Sequence, residues 1–169
     1  GSAINCKNSG KIKVYMKTSS NYMSQCVPKI GGVIGAAGMG YWEFIEGSNI
    51  IQDCRNTASV TYTDNGTGPE PQVGGICGCT GIISESYNTG SITVNKAEGF
   101  NAGGIAGIAY GVENCYNTGK VTCKGIGNGS GIVGTYEYSD VYPGYLRWNY
   151  NTGTVTCEFY EGPGAIATM

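Results

Sequence analysis

The sequence contains no histidine, a single leucine (Leu146), and only 13% charged residues. Each shortage excludes something. Without histidine, the commonest general base and the third member of a serine or cysteine triad are missing, and so is the usual partner of cysteine at zinc. With one leucine and no stripe of apolar residues at three-to-four spacing, long amphipathic helices are not expected. No apolar run approaches the ~20 residues of a membrane-spanning helix, so membrane insertion is not expected. The net charge of −2 and a pI near 5.1 give no electrostatic basis for nucleic-acid binding.

What is abundant is glycine (30), tyrosine (13) and cysteine (8). The apolar residues are Ile, Val, Tyr and Cys in runs of three to six, punctuated by glycine and Asn-Thr-Gly, which is a strand-and-turn composition. Two short patterns alternate. One is a glycine-flanked apolar pair, as in Gly32-Val33-Ile34-Gly35, Gly75-Ile76-Cys77-Gly78, Gly104-Ile105-Ala106-Gly107 and Gly131-Ile132-Val133-Gly134, with Gly164-Ala165-Ile166-Ala167 as a variant. The other centres on Asn8, Asn56, Asn88, Asn117 and Asn151, each followed by a β-type triplet such as Ile92-Thr93-Val94 or Val121-Thr122-Cys123. Repeats begin near residues 5, 31, 74, 103 and 130, a partial one begins near 163, and the length excess falls in loops such as Asp64–Pro71.

A unit of this size cannot bury its own apolar face and must stack on its neighbours. The expectation is therefore an all-β, right-handed parallel β-helix, a solenoid of about five rungs, forming one repeat domain over 1–169, a fragment of a larger protein. Strand alternation directs Ile12, Val60, Ile92, Val121 and Val155 inward, together with Val14, Tyr62, Val94, Cys123 and Cys157. The intervening Lys13, Thr61, Thr93, Thr122 and Thr156 then face solvent. Cys6, Cys54, Ser86 and Cys115 point inward, and Lys7, Arg55, Tyr87, Tyr116 and Tyr150 outward. The asparagines are expected to form a hydrogen-bonded ladder at one corner, aided by their tolerance of left-handed backbone, with the glycine two residues later suiting the same turn. Ala58 replaces that glycine in the second repeat, which is where the corner is least regular.

The alternation of Gly-Gly-Ile-Ala-Gly with Asn-Cys-Tyr-Asn-Thr-Gly-Lys-Val at residues 103–107 and 114–121 resembles the GLUG motif. That repeat occurs in large surface and secreted bacterial proteins, including adhesin-like proteins and the non-catalytic part of immunoglobulin A metallopeptidases. The third and fourth repeats carry the resemblance most fully, and looser copies extend it over about residues 5–169. It implies an extracellular or cell-surface β-helical segment, and it carries over no catalytic residue because the motif has none.

Function is less legible. The cysteines suit buried free thiols better than disulfides, with Cys123 and Cys157 the best-placed pair for a bridge, and Cys77-Gly78-Cys79 reads as core packing rather than a metal site. No cofactor is implied. Tyr87, Tyr116 and Tyr150, continued by Arg55, form an outward aromatic stripe that either stabilises the sheet face by stacking or holds sugar rings, and on the second reading a host glycan or surface protein is the partner of a stalk or adhesion module. A carbohydrate-active β-helix is the alternative, with Asp53 and Glu85 as its acids on neighbouring repeats. Finally, residues 1–29 hold five lysines and no acid, leaving a balance of −7 in the remainder. Solvated surface charge is the simpler reading of this layout, and unlike ends that meet in end-to-end self-association are the other; the strand edges at the two ends are expected either to be capped by loops at 15–30 and 136–147 or to associate edge to edge.

Overall fold

The computed structural model describes residues 2–16, 27–37, 50–64, 69–137, 144–159 and 164–168. These form an all-β structure of parallel sheets, one of them curled like half a barrel, and contain no helix long and apolar enough to cross a membrane. Every strand pair is parallel, and the chain passes through three sheets in turn before returning to the first.

Sheet A stacks Ala3–Ile4, Ile50–Gln52, Cys77–Ser84, Ala106–Glu113, Val133–Tyr136 and Ala167–Thr168, with Ile34–Ala37 and Tyr145–Arg147 joined alongside. Sheet B stacks the two-residue strands Lys7–Asn8, Arg55–Asn56, Tyr87–Asn88, Tyr116–Asn117 and Tyr150–Asn151. Sheet C stacks Ile12–Met16, Val60–Asp64, Ile92–Gly103, Val121–Ser130 and Val155–Phe159, with Lys29–Gly31 and Gln72–Gly74 completing it. Equivalent residues are direct partners: Ile12 with Val60, Val60 with Ile92, Ile92 with Val121, and Val121 with Val155.

Burial follows the alternation and the stacking together. Val60, Tyr62, Ile92, Val94, Val121 and Cys123 are buried, whereas Ile12, Val14, Val155 and Cys157 in the outer repeats are only half-buried, because each lacks a neighbour on one side. Of the segments expected to close the ends, 17–26 and 138–143 lie outside the described residues, while Lys29–Gly31 and Tyr145–Arg147 run as strands within the wall.

The interior is thin, and this explains why the two sequence patterns alternate. Asn56, Asn88 and Asn117 are fully buried. A Cβ added at Gly32, Gly75, Gly104 or Gly131 would collide with the amide group of Asn56, Asn88, Asn117 or Asn151 respectively, and with a backbone carbonyl of the adjoining repeat. The glycine of one pattern is thus the floor on which the asparagine of the other rests. The glycine two residues after Asn88, Asn117 and Asn151 is also required by close approach. At Gly90, Gly119 and Gly153 a Cβ would meet the backbone of the preceding repeat, so close approach, rather than left-handed backbone, demands glycine there.

The asparagine ladder is continuous. Nδ2 of Asn8 donates to Oδ1 of Asn56 (2.9 Å), Asn56 to Asn88 (2.8 Å), Asn88 to Asn117 (2.8 Å) and Asn117 to Asn151 (2.9 Å). Within its own turn each amide also donates to the carbonyl two residues on and accepts from that residue's N–H. An interior asparagine therefore uses both donors and both lone pairs, a combination no other side chain of that length supplies. The turn survives at Ala58, whose N–H reaches Asn56 at 3.3 Å against 3.1 Å at Gly90.

The left-handed backbone lies elsewhere than at the asparagines. It falls three residues earlier, at Asn5, Asp53, Glu85, Asn114 and Trp148, all with φ between 50° and 56°. These exposed residues turn the chain from sheet A into sheet B.

Two polar features sit inside the core. Lys96 Nζ lies 3.3 Å from Asp64 Oδ2 with both side chains fully buried, and the hydroxyl of Tyr62 donates to the same oxygen at 3.3 Å. Residues 60, 62 and 64, and residues 92, 94 and 96, are alternate positions of paired strands, so the inward columns extend two residues beyond the triplets read from sequence. The thiols form the second feature. Cys6, Cys54, Cys77, Cys79, Cys115, Cys123 and Cys157 are free, and Cys123 is the register partner of Cys157. The hydrogen bond these two thiols share, together with burial, pushes Cys123 well up. Burial pushes Cys77 and Cys115 up to about 12 and Cys79 to about 11.

Three measurements follow from these contacts. Asn117→Ala strands four hydrogen-bonding groups in the interior and should cost on the order of 3–5 kcal/mol in chemical denaturation, whereas Asn8→Ala, at the half-buried end of the ladder, should cost about 1 kcal/mol. Lys96→Met takes the ammonium away from the buried Asp64 carboxylate and should cost about 3–5 kcal/mol, part of it recovered when Asp64→Leu is added; equal costs for the single and double variants would exclude the pair as the cause. Thiols whose folded pKa exceeds the unfolded value stabilise the fold below pH ~9, and that contribution fades as pH rises from ~9 toward ~12. Each contributes a slope of about 1.4 kcal/mol per pH unit. Cys115→Ser, which copies the residue found at Ser86 in the same column, should make alkaline denaturation measurably shallower.

Candidate functional site

The outward residues of sheet B are Lys7, Arg55, Tyr87, Tyr116 and Tyr150 in register. Parallel pairing sets neighbouring strands about 4.8 Å apart, and a side chain on each must follow that spacing. The tyrosine rings do so face to face, with centroids 4.8 Å apart for Tyr87 and Tyr116 and 5.1 Å for Tyr116 and Tyr150, and interplanar angles of 5° and 4°. Arg55 closes the row, its guanidinium carbon 5.8 Å from the Tyr87 centroid.

The geometry decides what such a row can offer. Stacked rings turn their faces toward one another, so solvent meets ring edges and phenolic oxygens instead of a flat aromatic surface. Tyr87 and Tyr116 are half-buried for this reason. Burial, and then the neighbouring Tyr87 and Tyr150, raise the pKa of Tyr116. Tyr116 has a tyrosine on each face and Tyr87 has Tyr116 on one side and Arg55 on the other, whereas Tyr150, at 53% exposure, stacks on Tyr116 alone among the described residues.

Just ahead of Tyr150 in the chain is a group that the stripe alone does not reveal. Trp148 occupies the left-handed corner position and is 68% exposed. Asparagine and aspartate adopt this backbone at low cost, but a large aromatic residue there is a steric outlier. Arg147 sits 4.6 Å from the Tyr145 ring centroid and 4.8 Å from that of Trp148, and its Nε donates to Glu113 Oε2 at 2.7 Å. The carboxylate from the preceding repeat fixes the guanidinium, and the guanidinium braces both rings. A signal for this cluster was present in the sequence: Trp148 is the one aromatic residue in a column otherwise made of Asn5, Asp53, Glu85 and Asn114.

Asp53 and Glu85 occupy consecutive left-handed corners, and each is engaged locally. Asp53 lies 3.7 Å from Arg55 of its own repeat, and Glu85 accepts from Gln52 Nε2 at 3.1 Å. The threonine column is outward, half-buried at Thr61, Thr93 and Thr122 and exposed at Thr156. Cys77 and Cys79 are buried, and among the described residues no group of three or more His, Cys, Asp or Glu side chains is arranged to hold a metal ion.

Comparison with known proteins gives one positive finding. The family model described as the GLUG motif matches residues 98–122. No curated protein and no solved structure matches the chain. The matched stretch runs from the end of the long sheet C strand through Gly104, across sheet A and the Asn114 corner, to Asn117 and Thr122, so it spans one glycine floor and the asparagine that rests on it. The chain thus carries a GLUG motif at residues 98–122.

Proposed function

We propose that this chain is a right-handed β-helix of about five rungs that serves as a non-catalytic stalk or adhesion module of an extracellular bacterial surface protein. Its contact with a host glycan or surface protein is made at the aromatic end of sheet B, not along the middle of the tyrosine stripe. The in-register parallel pairing of all three sheets supports the solenoid, and the GLUG motif supports the surface setting through the kind of protein in which such repeats occur.

The observation that carries the binding reading is the group Tyr150, Trp148 and Arg147. Two exposed rings and a cation held by Glu113 are presented on a wall of hydrogen-bonded strands. Sugar rings offer apolar C–H faces to aromatic faces and hydroxyls to charged groups, and a rigid platform loses little entropy on binding them. Arg55 and the phenolic edges of Tyr87 and Tyr116 extend the surface toward the other end.

Screening the purified domain against a glycan array tests this. Binding should fall at least tenfold in Trp148→Ala and in Tyr150→Ala, the latter losing about 0.5–1.5 kcal/mol of stability with its one stacking contact. Tyr116→Ala should instead lower stability, by about 1–3 kcal/mol, because it removes two stacking contacts. An array without hits would remove the glycan partner. Release of reducing ends that disappears in Glu85→Gln would replace this reading with a carbohydrate-active one.

A further inference from the structure

The pair formed by Lys96 and Asp64 is unlike the rest of the core in its chemistry. Both side chains are fully buried, and Lys96 Nζ lies 3.3 Å from Asp64 Oδ2. They belong to one inward column of sheet C, in which Asp64 is the register partner of Lys96 on one side and of Met16 on the other. The lysine therefore comes from one repeat and the aspartate from the repeat before it, 32 positions earlier in the chain. The same sheet contributes Tyr62, Val94 and Phe100, all buried, to a single apolar cluster.

Stability alone does not account for the pair. A buried ion pair is often no more stabilising than apolar residues of the same volume, and Met16 fills the equivalent position of the first repeat without a charge. Chemically, the pair is a primary amine held against a carboxyl group in a place closed to solvent. Hydration is what keeps such groups as separate ions. Without it, passing one proton from the ammonium to the carboxylate discharges both and leaves a nucleophilic amine beside a carboxylic acid. Holding the two in contact turns a bimolecular encounter into a unimolecular step. A third group is in place: the hydroxyl of Tyr62 donates to the same Oδ2 at 3.3 Å. Burial, and then the Asp64 carboxylate, push this phenol well up, so it keeps its proton.

We propose that Lys96 and Asp64 condense to a side-chain amide that covalently joins two neighbouring repeats. Nζ attacks Cγ of the protonated carboxyl group; the N–Cγ bond forms and the Cγ–Oδ2 bond then breaks. Of the three protons on the ammonium, one passes to the carboxylate at the outset. A second reaches the departing oxygen through the Tyr62 hydroxyl, and the third stays on the amide nitrogen. Water is the only other product, and nothing is oxidised or reduced. The ion pair is the state from which the bond forms, and the closed interior shields the amide from hydrolysis afterwards. The bond closes the chain between Val60–Asp64 and Ile92–Gly103 into a covalent loop, which cannot be drawn out under load while the bond stands.

The intact mass of the purified chain, reduced and denatured, tests the cross-link. It should fall below the sequence mass by that of one water molecule, whereas Lys96→Met, alone or with Asp64→Leu, should keep its full sequence mass. After proteolysis the loss should reside in a branched peptide that joins the Asp64 segment to the Lys96 segment, and trypsin should no longer cut after Lys96. Tyr62→Phe keeps the ring and removes the hydroxyl. It should leave an uncondensed fraction in freshly purified protein and condense at least tenfold more slowly than the wild type; an equal rate would remove Tyr62 from the reaction. A wild-type chain that holds its full sequence mass after prolonged incubation in the folded state would overturn the proposal. So would water loss confined to a linear peptide, which marks a cyclised aspartyl residue. Both of these outcomes are read on the unsubstituted chain, so a variant that fails to fold does not obscure them.

Discussion

Each repeat borrows its hydrogen-bonding partners from the repeats on either side. The strands of sheet B are two residues long and have no partner within their own repeat, so their backbone groups are satisfied only across the stack. The same spacing aligns the amides of Asn8 to Asn151, the rings of Tyr87 to Tyr150 and the apolar columns of sheet C. One period governs all of them, which is why a displaced repeat would break every ladder together.

That dependence accounts for the composition. Glycine is plentiful because the interior is thin: with an asparagine amide reaching the backbone of the opposite wall, a Cβ has nowhere to go at Gly75 or Gly104. Leucine is scarce because a narrow interior lined by strands suits branched and small side chains, which pack in layers when equivalent residues lie on top of one another. The left-handed corner is filled mostly by asparagine and acids for conformational reasons, and Trp148 departs from that rule two residues before the exposed Tyr150 of sheet B.

Much of this was legible in the sequence because a repeat reports its own register. The alternation at Ile92, Thr93 and Val94 named the buried and outward columns, and the recurrence of asparagine identified the ladder residues. The rest depends on information that pattern does not carry. Which residue takes positive φ could not be read from composition, since Asn is found both at the corner (Asn5, Asn114) and in the ladder (Asn8, Asn117). A column of tyrosines has the same spelling whether its rings face solvent or one another, and only the strand spacing chooses stacking. Asp64 and Lys96 escaped because charge suggests a loop or a surface, although their place two residues beyond Tyr62 and Val94 put them on the buried face.

The first and last repeats occupy opposite ends of the stack, and each interior repeat is held chiefly by its two neighbours. Tension applied between those ends would therefore act on the outermost repeat first and peel the array one unit at a time. The 29 residues from Asn88 to Asn117 would release roughly 100 Å of extended chain per unit. An array held in this way yields in stages under load and keeps its remaining walls intact.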